Sequence, residues 1–511
     1  MAEVLSVDVV SRGSRDADLL ILGLFEGESP DLEGLDEAVR KAAGRMAARS
    51  GWQAKEEQSG QSDVPDGPVV VLSGLGKPAD FSAVKLANWI GRTADWARGN
   101  GYRRIQYVLP RHPETAGAAA AERAVRWLSL AGYRFDRRSE DRNGSPLESI
   151  LVAPPAGPPE ELEGWRAAVA FTRPIAEAAA FSRTLANTPP NEATTLWMAE
   201  RAREMAAERG IGVTVLDETE MARRGMGGLL AVGAGSACPP RLVRLDWGTE
   251  GPVVALVGTG VTFDTGGISI KPAQNMEDMK YDKCGACTVL GIVRAVADLG
   301  LKVRLRAYCA FAENMPSGTA YRPGDIVRFY NGKTVEIVNT DAEGRLILAD
   351  AMAWAVEEKP DALLEFSTLT GAIVVALGHQ AGGLFTPDDG LAAELLAASA
   401  GSGERLWRMP LYPEFLEDMK GIHADLKNSA GRPGSSSTAA AFLSQFVGDM
   451  KSWAHLDIAG VAYLSAEVNP KRAGATGFGI ASTVAWLRRR AGNVGAGLAP
   501  AREGTSPSPT D

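Results

Sequence analysis

The sequence predicts a two-domain α/β protein. A small N-terminal α/β domain precedes a larger α/β domain whose central mixed, mostly parallel sheet is covered by helices. The chain has 511 residues, more than one hydrophobic core usually supports. Short apolar runs alternate with segments of helical spacing in both halves, as in α/β folds. The runs of the C-terminal half lack polar alternation, which indicates a sheet with both faces covered.

The first 150 residues contain five candidate strands and three candidate helices. The strands are short and apolar, and the helical segments are rich in alanine. The predicted strands are residues 4–10, 19–25, 69–72, 105–109 and 150–152, and the predicted helices are 35–48, 83–98 and 118–131. No group of residues suited to a reaction gathers here, so residues 1–160 are predicted to serve structure or assembly.

Composition marks the boundary between the two halves. Residues 137–145 are polar and 153–160 are rich in Pro and Ala, as expected of a surface connection. Residues 161–190 are predicted to be a linking helix and loop, with a break or kink at Pro174. The second domain is predicted to span 191–490. The tail, 491–511, is rich in Gly, Ala, Pro and Ser and is predicted to be disordered.

The second domain repeats the α/β pattern with longer apolar strands. In such sheets, ligands bind beyond the carboxyl ends of the strands. The predicted strands are residues 212–216, 253–257, 302–311, 334–338, 363–366 and 453–458, and the predicted helices are 194–209, 286–299, 346–357 and 391–401.

Overall charge and cysteine content exclude several classes of protein. The chain has 54 Lys and Arg against 63 Asp and Glu, a net charge of -9, which repels nucleic acid. The N-terminus lacks the pattern of a secretory signal, and no apolar stretch reaches the roughly 18–20 residues of a membrane span. Four cysteines in so long a chain do not form a disulfide framework. A reducing compartment, the cytoplasm, is therefore predicted.

Residues suited to chemistry concentrate in segments 258–286 and 339–346. Each follows a predicted strand and leads toward a helix. Closely held carboxylates repel each other unless a cation neutralises them, so an excess of acids over cations indicates bound metal. The two segments contain four carboxylates and two relevant cations, namely Asp264, Asp282, Asp341, Glu343, Lys271 and Arg345. Two divalent ions suit this set, although Asp341 and Glu343 alone also fit first-turn acids favoured by a helix dipole.

Histidine is excluded from this ligand set by its positions. The four histidines lie outside both segments, at positions 112, 379, 423 and 455. Oxygen ligands leave Zn, Mn and Mg open. His455 is predicted to satisfy a hydrogen bond at a strand end rather than to act as a base.

The same segments carry a specific resemblance. NTDAEGRL at 339–346 is identical to the hallmark octapeptide of the leucyl (cytosol) aminopeptidase family, whose members are hexameric di-metal exopeptidases. The similarity extends over most of residues 180–485. It continues through LANTPPN (185–191), LLAVGAGS (229–236), ENMPSGTAYRPGD (313–325), STLTGA (367–372) and HLDIAG (455–460).

The resemblance implies a role for each matching residue. Asp264, Asp282, Asp341 and Glu343 match the metal ligands, with Asp264 and Glu343 shared between two ions, Mn or Zn with Mg also open. Lys271 matches the lysine that stabilises the oxyanion, and Arg345 the arginine that holds a bicarbonate ion, the general base. The residues that match the substrate-binding positions are Met279, Thr368, Leu369 and Ala459.

The implied reaction is removal of the N-terminal residue from a peptide, with apolar, leucine-like residues preferred. In the family, the free amino group of the substrate binds one metal, and a metal-bridged hydroxide attacks the first peptide carbonyl. The implied partners are peptide substrates and five further copies of the chain in a homohexamer. No membrane or nucleic-acid partner is expected.

One position departs from the family pattern. Thr259 stands where a metal-binding lysine is expected, five residues before Asp264, and threonine is too short to replace it. Two lesser departures are Glu365, in place of Asp or Asn, and Lys283, in place of methionine. One reading is an active enzyme with an altered metal demand. Another is a weakened or inactive homologue that serves as an oligomeric scaffold or regulatory protein. A third, from another class, is a two-metal phosphoester hydrolase.

Overall fold

The computed structural model describes residues 5–14, 16–135, 147–465 and 473–492. These residues form two compact units. Of the described residues, the first unit comprises mainly those up to Ala180, and the second those of Phe181–Ser465 together with 474–492. No helix in these described ranges is long and apolar enough to cross a membrane. The predicted polar connection at 137–145 and nearly all of the predicted tail lie outside the described residues.

The first unit is a six-stranded sheet flanked by helices. Its sheet order is β1-β6-β5-β2-β4-β3, parallel throughout except for β3, which pairs antiparallel with β4. Its strands are β1 (Ser6–Val9), β2 (Leu19–Leu24), β3 (Ser59–Ser62), β4 (Val69–Gly74), β5 (Arg104–Val108) and β6 (Ser149–Ala153), and its helices are α1 (Glu37–Ala47), α2 (Ala83–Gly99) and α3 (Ala118–Gly132).

Alternation along the strands gives this sheet two apolar faces. Ile21 of β2 packs with α2 and α3 on one face, while the neighbouring Leu20 and Leu22 pack with α1 on the other. Every strand predicted from apolar runs is present in this unit. The polar strand β3 was not predicted, because the sequence SGQS carries no apolar signal and pairs only at the sheet edge.

A long helix, α4 (Pro159–Asn187), follows the first sheet. It continues through Pro174, where the sequence predicts a break or kink. A proline costs about 3 kcal/mol in a helix interior because it removes one backbone hydrogen bond. Trp165 before the proline and Ile175 after it are both buried. Packing on both sides of Pro174 therefore outweighs the local cost.

The second unit contains thirteen of the strands and ten of the helices that the structure describes. The strands are β7 (Gly212–Leu216), β8 (Arg241–Trp247), β9 (Val253–Asp264), β10 (Arg304–Asn314), β11 (Ile326–Arg328), β12 (Thr334–Glu336), β13 (Ala362–Ser367), β14 (Gly382–Phe385), β15 (Leu406–Arg408), β16 (Leu426–Lys427), β17 (Trp453–Asp457), β18 (Tyr463–Leu464) and β19 (Gly474–Ala475). The helices are α5 (Thr195–Ala207), α6 (Glu218–Arg224), α7 (Gly227–Gly233), α8 (Cys284–Asp298), α9 (Gly344–Ala355), α10 (Gly371–Leu377), α11 (Asp389–Ser402), α12 (Glu414–Glu417), α13 (Ser435–Leu443) and α14 (Ile480–Arg490).

An eight-stranded mixed sheet organises this unit. Its order is β15-β14-β17-β13-β9-β10-β8-β7, and the four central strands β17, β13, β9 and β10 are mutually parallel. Ala255 and Val257 of β9 pack in one core with α9, while Gly258 faces the start of α8 closely. The predicted α/β class, with a mostly parallel central sheet covered by helices, is confirmed.

Parallel pairing brings four polar chain positions to one edge of this sheet. β9 ends at Asp264, β10 at Asn314, β13 at Ser367 and β17 at Asp457. Ligands of open α/β sheets bind at this carboxyl edge. The fold therefore places the chemistry of this unit where its four central strands end.

Candidate metal centre

Asp264 lies at the end of β9, and its neighbours fix its carboxylate. It is buried, and its Oδ1 accepts hydrogen bonds of 2.8 Å from the Gly266 amide and from Asn314 Nδ2. Asn314 also donates to the Thr340 carbonyl at 3.0 Å. The other oxygen of the Asp264 carboxylate, Oδ2, lies 2.7 Å from Lys271 Nζ. The carboxylate is therefore oriented in advance of any ligand.

The Gly266–Gly267 turn needs both glycines. Their φ angles are 86° and 65°, in the left-handed region that glycine adopts without strain. A Cβ at position 266 would lie 2.9 Å from Asp341 Oδ1, and a Cβ at 267 would lie 2.8 Å from Asn314 Oδ1. The turn thus allows the backbone to pass directly beside the carboxylate cluster.

Thr340 links the two segments that contain the predicted metal ligands, 258–286 and 339–346. Its hydroxyl donates to the Gly266 carbonyl at 2.6 Å and accepts from the Ser269 amide at 2.8 Å. In return, the Thr340 amide donates to Ser269 Oγ at 3.1 Å. These bonds hold segment 339–346 against the glycine turn, so the acids of both segments meet at one place.

Three of the four predicted ligands converge closely. Asp264, Asp341 and Glu343 each offer a carboxylate oxygen within 4.8 Å of the others. Glu343 is the N-cap residue of α9, where the helix dipole favours a negative charge. Asp282 interacts electrostatically with Asp264 and Glu343, and its Oδ1 accepts a 2.6 Å bond from the Thr368 hydroxyl.

Because these acids are buried close to one another, ionising all of them costs free energy. Burial and the charge of Asp264 raise the pKa of Asp282 to about 7. Burial, Asp264 and Asp282 together hold the pKa of Glu343 well above its ordinary value. Burial also raises the pKa of Asp341, although Lys271 opposes that shift. Neutralisation by bound cations is the direct way to keep all of these carboxylates ionised.

Lys271 supplies part of that neutralisation. Its ammonium forms ion pairs with both Asp264 and Asp341. Burial alone lowers the pKa of Lys271, but the charges of Asp264, Glu343 and Asp341 outweigh burial and raise it above its ordinary value. Lys271 therefore remains charged, beside the carboxylates, at any physiological pH.

Glu343 gives an independent test of whether the residues fit divalent cations. Its Oε2 is buried and has no hydrogen-bond partner within the described part of the chain. An unpaired buried carboxylate oxygen costs free energy unless a cation or water satisfies it. Carboxylate oxygens are also the ligands that Mn²⁺ and Mg²⁺ prefer. The residues present therefore fit a carboxylate-bound divalent metal.

The metal-free protein is expected to lose stability as the pH rises from about 4 to 7. The unfolded pKa of an aspartate is near 3.8 and that of folded Asp282 is about 7, so the folded state holds the extra proton in this window and the free energy of unfolding falls with pH. Thermal unfolding of the chelator-treated protein at pH 5 and pH 8 measures this. Asp282→Asn should flatten the profile, and an unchanged slope in that variant would contradict the assignment.

Arg345, from the first turn of α9, has a buried and incompletely satisfied guanidinium. It donates to the Asn428 carbonyl at 2.8 Å, while its Nε has no partner among the residues described. Burial lowers its pKa to about 10, although Glu343 and Asp457 partly offset that effect. A buried, partly unpaired guanidinium beside the carboxylates is suited to hold a small anion.

Thr259, the predicted departure, lies on β9 beside this cluster. It is buried, and its Oγ1 has no hydrogen-bond partner in the described ranges. Two glycines from other elements lie close to its side chain, Gly285 of α8 and Gly344 of α9. A Cβ at Gly285 would lie 2.8 Å from Thr259 Oγ1, and a Cβ at Gly344 would lie 3.7 Å from its Cγ2. No ligand contact from this position is apparent among the described residues.

The four residues matched to substrate-binding positions are all partly buried. Met279 lies in the 3₁₀ segment Met276–Lys283 that also carries Asp282. Thr368 and Leu369 follow β13, and Ala459 follows β17, the strand paired with β13. The structure thus places three of the four at adjacent strand ends.

Sequence reasoning missed three residues that organise the site: Asn314, Thr340 and Asp457. Each acts through hydrogen bonds that cross between strands or segments. A signal existed for two of them, because Asn314 and Asp457 are polar residues at the ends of otherwise apolar strands. His455, expected to satisfy a hydrogen bond at a strand end, lies in the middle of β17, where its Nδ1 hydrogen-bonds the Glu365 carboxylate while its Nε2 has no partner among the described residues.

The fold and the site define a metal-dependent α/β hydrolase of two compact units. Family models agree with this class over most of the chain. The cytosol aminopeptidase family, catalytic domain, matches residues 180–484, and the N-terminal domain of the same family matches residues 21–141. The chain belongs to the cytosol aminopeptidase family and is a metallo-aminopeptidase.

Individual relatives support the same membership along the chain. A probable cytosol aminopeptidase of Roseiflexus castenholzii is 41% identical, covering 93% of this chain and 97% of that protein. One of Syntrophotalea carbinolica is also 41% identical, covering 91% and 95%. Among solved structures, the bottromycin maturation enzyme BotP in complex with Mn has a TM-score of 0.81 at 35% identity, covering 93% of this chain and 100% of BotP.

Proposed function

We propose that this protein removes apolar, leucine-like residues from the N-terminus of peptides with two divalent ions held by Asp264, Asp282, Asp341 and Glu343. The convergence of three of these carboxylates within 4.8 Å beside Lys271 carries the proposal. Hydrolysis of leucine-p-nitroanilide by chelator-treated protein, with Mn, Zn or Mg added back, tests it. A folded, metal-loaded sample that turns over with none of the three would refute it.

The residues of the chain divide the work of this reaction. The Lys271 ammonium is positioned to donate to the oxygen of a scissile carbonyl as negative charge develops there. Arg345 would hold a bicarbonate ion, whose oxygen takes the proton of the attacking water. When bound, the divalent ions polarise the carbonyl and lower the pKa of that water. Met279, Thr368, Leu369 and Ala459 would receive the side chain of the residue that is removed.

Manganese is the metal that the site favours in this proposal, with zinc or magnesium as alternatives. The site offers carboxylate oxygens, which suit harder ions. Thr259 offers no nitrogen ligand, and a nitrogen ligand would favour zinc. The structure of BotP contains Mn, which supports the same choice. Metal content of the purified protein, measured before any chelator is added, tests it.

Replacing Thr259 by lysine is expected to tighten metal binding by about tenfold or more, since an added amine ligand strengthens a site at least as much as an outer-shell contact does. The neighbours of Thr259 at Gly285 and Gly344 carry no side chain of their own. Calorimetric titration with Mn²⁺ and Zn²⁺ measures the gain. Thr259→Met, of similar length without the amine, is the control. Equal affinities of the lysine variant and the parent would show that position 259 does not face a metal.

The alternative function is a weakened or inactive homologue that acts as an oligomeric scaffold. The observation in its favour is Thr259, where a ligand is missing. Retention of all four carboxylates opposes it, because their mutual repulsion is costly without a metal. A protein that assembles normally but binds no metal would favour this alternative over the enzyme.

We also propose an oligomeric state, a cellular location and a division of the chain into domains. The protein would act as a cytoplasmic homohexamer, with residues 1–160 serving assembly, 161–190 linking, and 191–490 carrying catalysis. The net charge of -9 keeps such an assembly soluble. Light scattering on the full chain measures the oligomer, and a stable monomer at micromolar concentration would contradict it.

A further inference from the structure

A single buried carboxylate, Asp457, ties together the two segments that carry the proposed substrate contacts. It ends β17 and is fully buried. Its Oδ1 accepts from the amides of Leu369 at 3.2 Å and Ala459 at 3.3 Å. Its Oδ2 accepts from the Thr370 hydroxyl at 2.6 Å. Each of these hydrogen bonds reaches the stretch after β13 or the turn after β17.

Thr370 extends this arrangement away from the sheet edge. Its one hydroxyl proton goes to Asp457, so the 2.7 Å contact with Ser436 Oγ requires the serine to donate. The Thr370 hydroxyl also accepts from the Ile373 amide, which caps the start of α10. The stretch after β13 is therefore fixed from Thr370 onward by a chain of bonds that begins at Asp457.

The other end of the same stretch is tied to the metal centre. Thr368 donates to Asp282 at 2.6 Å, one residue before the Leu369 amide bonds Asp457. Thr368–Thr370 is thus held between a proposed metal ligand and Asp457. The hydrogen bonds of Asp457 reach Leu369, Thr370 and Ala459, and none of those shown for the described residues reaches any of the four carboxylates.

We infer that Asp457 is a positioning residue that sets the preference for the first side chain of the substrate, by holding Leu369 and Ala459 at fixed places relative to the metal ligands. This inference rests on the proposed function. The chemistry it concerns is recognition of an apolar side chain of leucine size against a smaller one. Asp457 itself touches no reacting atom.

Asp457→Asn is the informative substitution because it is nearly isosteric. The amide oxygen can still accept from Leu369 and Ala459, but the NH₂ group can bond Thr370 only if the Thr370 hydroxyl gives up donating to residue 457 and donates to Ser436 instead. Neutral acceptors also bind more weakly than a carboxylate. Thr370→Val breaks the same contact while leaving the Asp457 charge in place, which excludes an indirect effect of that charge on Arg345.

The experiment compares kcat and KM for leucine- and alanine-p-nitroanilide in the manganese-loaded full chain. In both variants the leucine-to-alanine ratio of kcat/KM should fall about tenfold, as expected when contacts to a few methylenes are lost, mainly through KM for leucine. Mn²⁺ affinity should stay within about twofold of the parent, because the metal ligands are unchanged.

Asp350→Asn is the matched control. Asp350 is also a fully buried carboxylate that accepts from two amides, those of Leu229 and Tyr330, but neither belongs to the proposed substrate site. The Asp350→Asn variant should have lower thermal stability and the same leucine-to-alanine ratio of kcat/KM as the parent. If Asp457→Asn does not fold, Thr370→Val decides the question.

Two outcomes overturn the inference in distinguishable ways. A parent protein that prefers leucine, with variants that keep the same ratio, would refute the role of Asp457 alone. A parent protein that hydrolyses neither substrate with any metal would refute the proposed function and remove the basis of this inference with it.

Discussion

Replacing Glu343 by glutamine is expected to abolish metal binding and, in the same molecule, to stabilise the metal-free fold. Glu343 is buried among Asp264 and Asp282, and its Oε2 has no partner in the described part of the chain. Glutamine keeps the shape and removes the ionisable carboxyl, so the metal-free protein should gain about 1–3 kcal/mol, the usual cost of a buried polar group that lacks a partner.

Loss of function should accompany that gain. Mn²⁺ affinity should fall more than about a hundredfold, beyond the effect typical of an outer-shell change. Turnover should fall about a thousandfold, since a metal supplies several kcal/mol of transition-state stabilisation. Glu357→Gln, an exposed acid just after α9, is the control. A Glu343→Gln variant that binds Mn²⁺ like the parent would show that Glu343 is not a ligand.

Replacing Lys271 by methionine is the second large effect. It should lower kcat by about 10²–10³ with little change in KM, the loss typical of removing one oxyanion donor. The same change leaves Asp264 and Asp341 without their ion-pair partner. The metal-free protein should therefore be destabilised by about 3 kcal/mol, and bound Mn²⁺ should recover most of that loss by neutralising the two acids.

Steady-state kinetics together with thermal unfolding, each with and without Mn²⁺, measures both effects. Lys302→Met, which removes a lysine of 69% side-chain exposure outside the site, is the control. A variant with normal kcat would rule out an oxyanion role. An equal loss of stability with and without metal would show that Lys271 and the metal do not neutralise the same carboxylates.

The acids of this site can be predicted because of their positions relative to apolar strands and helices in the sequence. Asp264 directly follows a long apolar strand, and Asp341 and Glu343 stand just before a helix of apolar residues. Local patterns of this kind are visible without coordinates. Their convergence follows from parallel pairing, which brings strand ends to one edge.

The supporting hydrogen bonds could not be predicted in the same way. The bond from Asn314 to Asp264 depends on the register that pairs these two residues across β9 and β10. The pair formed by Glu365 and His455 likewise depends on their facing positions in β13 and β17. Register is set by the tertiary arrangement of the strands, which a single sequence does not reveal.

The α/β class was easier to predict from the sequence than the individual strands and helices. Apolar strands such as β2 and β13 are evident from composition, while β3 is polar and forms only through its pairing with β4. Pro174 predicts a break or kink, yet α4 runs on through it without a break, with buried residues before and after the proline. In both cases a tertiary contact outweighs the local preference.

Asp264, Asp282, Asp341 and Glu343 are proposed to hold two divalent ions together. Anomalous scattering from crystals of the full chain grown with Mn²⁺ tests it most directly. Two manganese peaks are expected, each touching oxygens of these carboxylates, with Asp264 and Glu343 contacting both ions. Well-ordered crystals with no peak at this place, or with manganese bound only elsewhere, would contradict it.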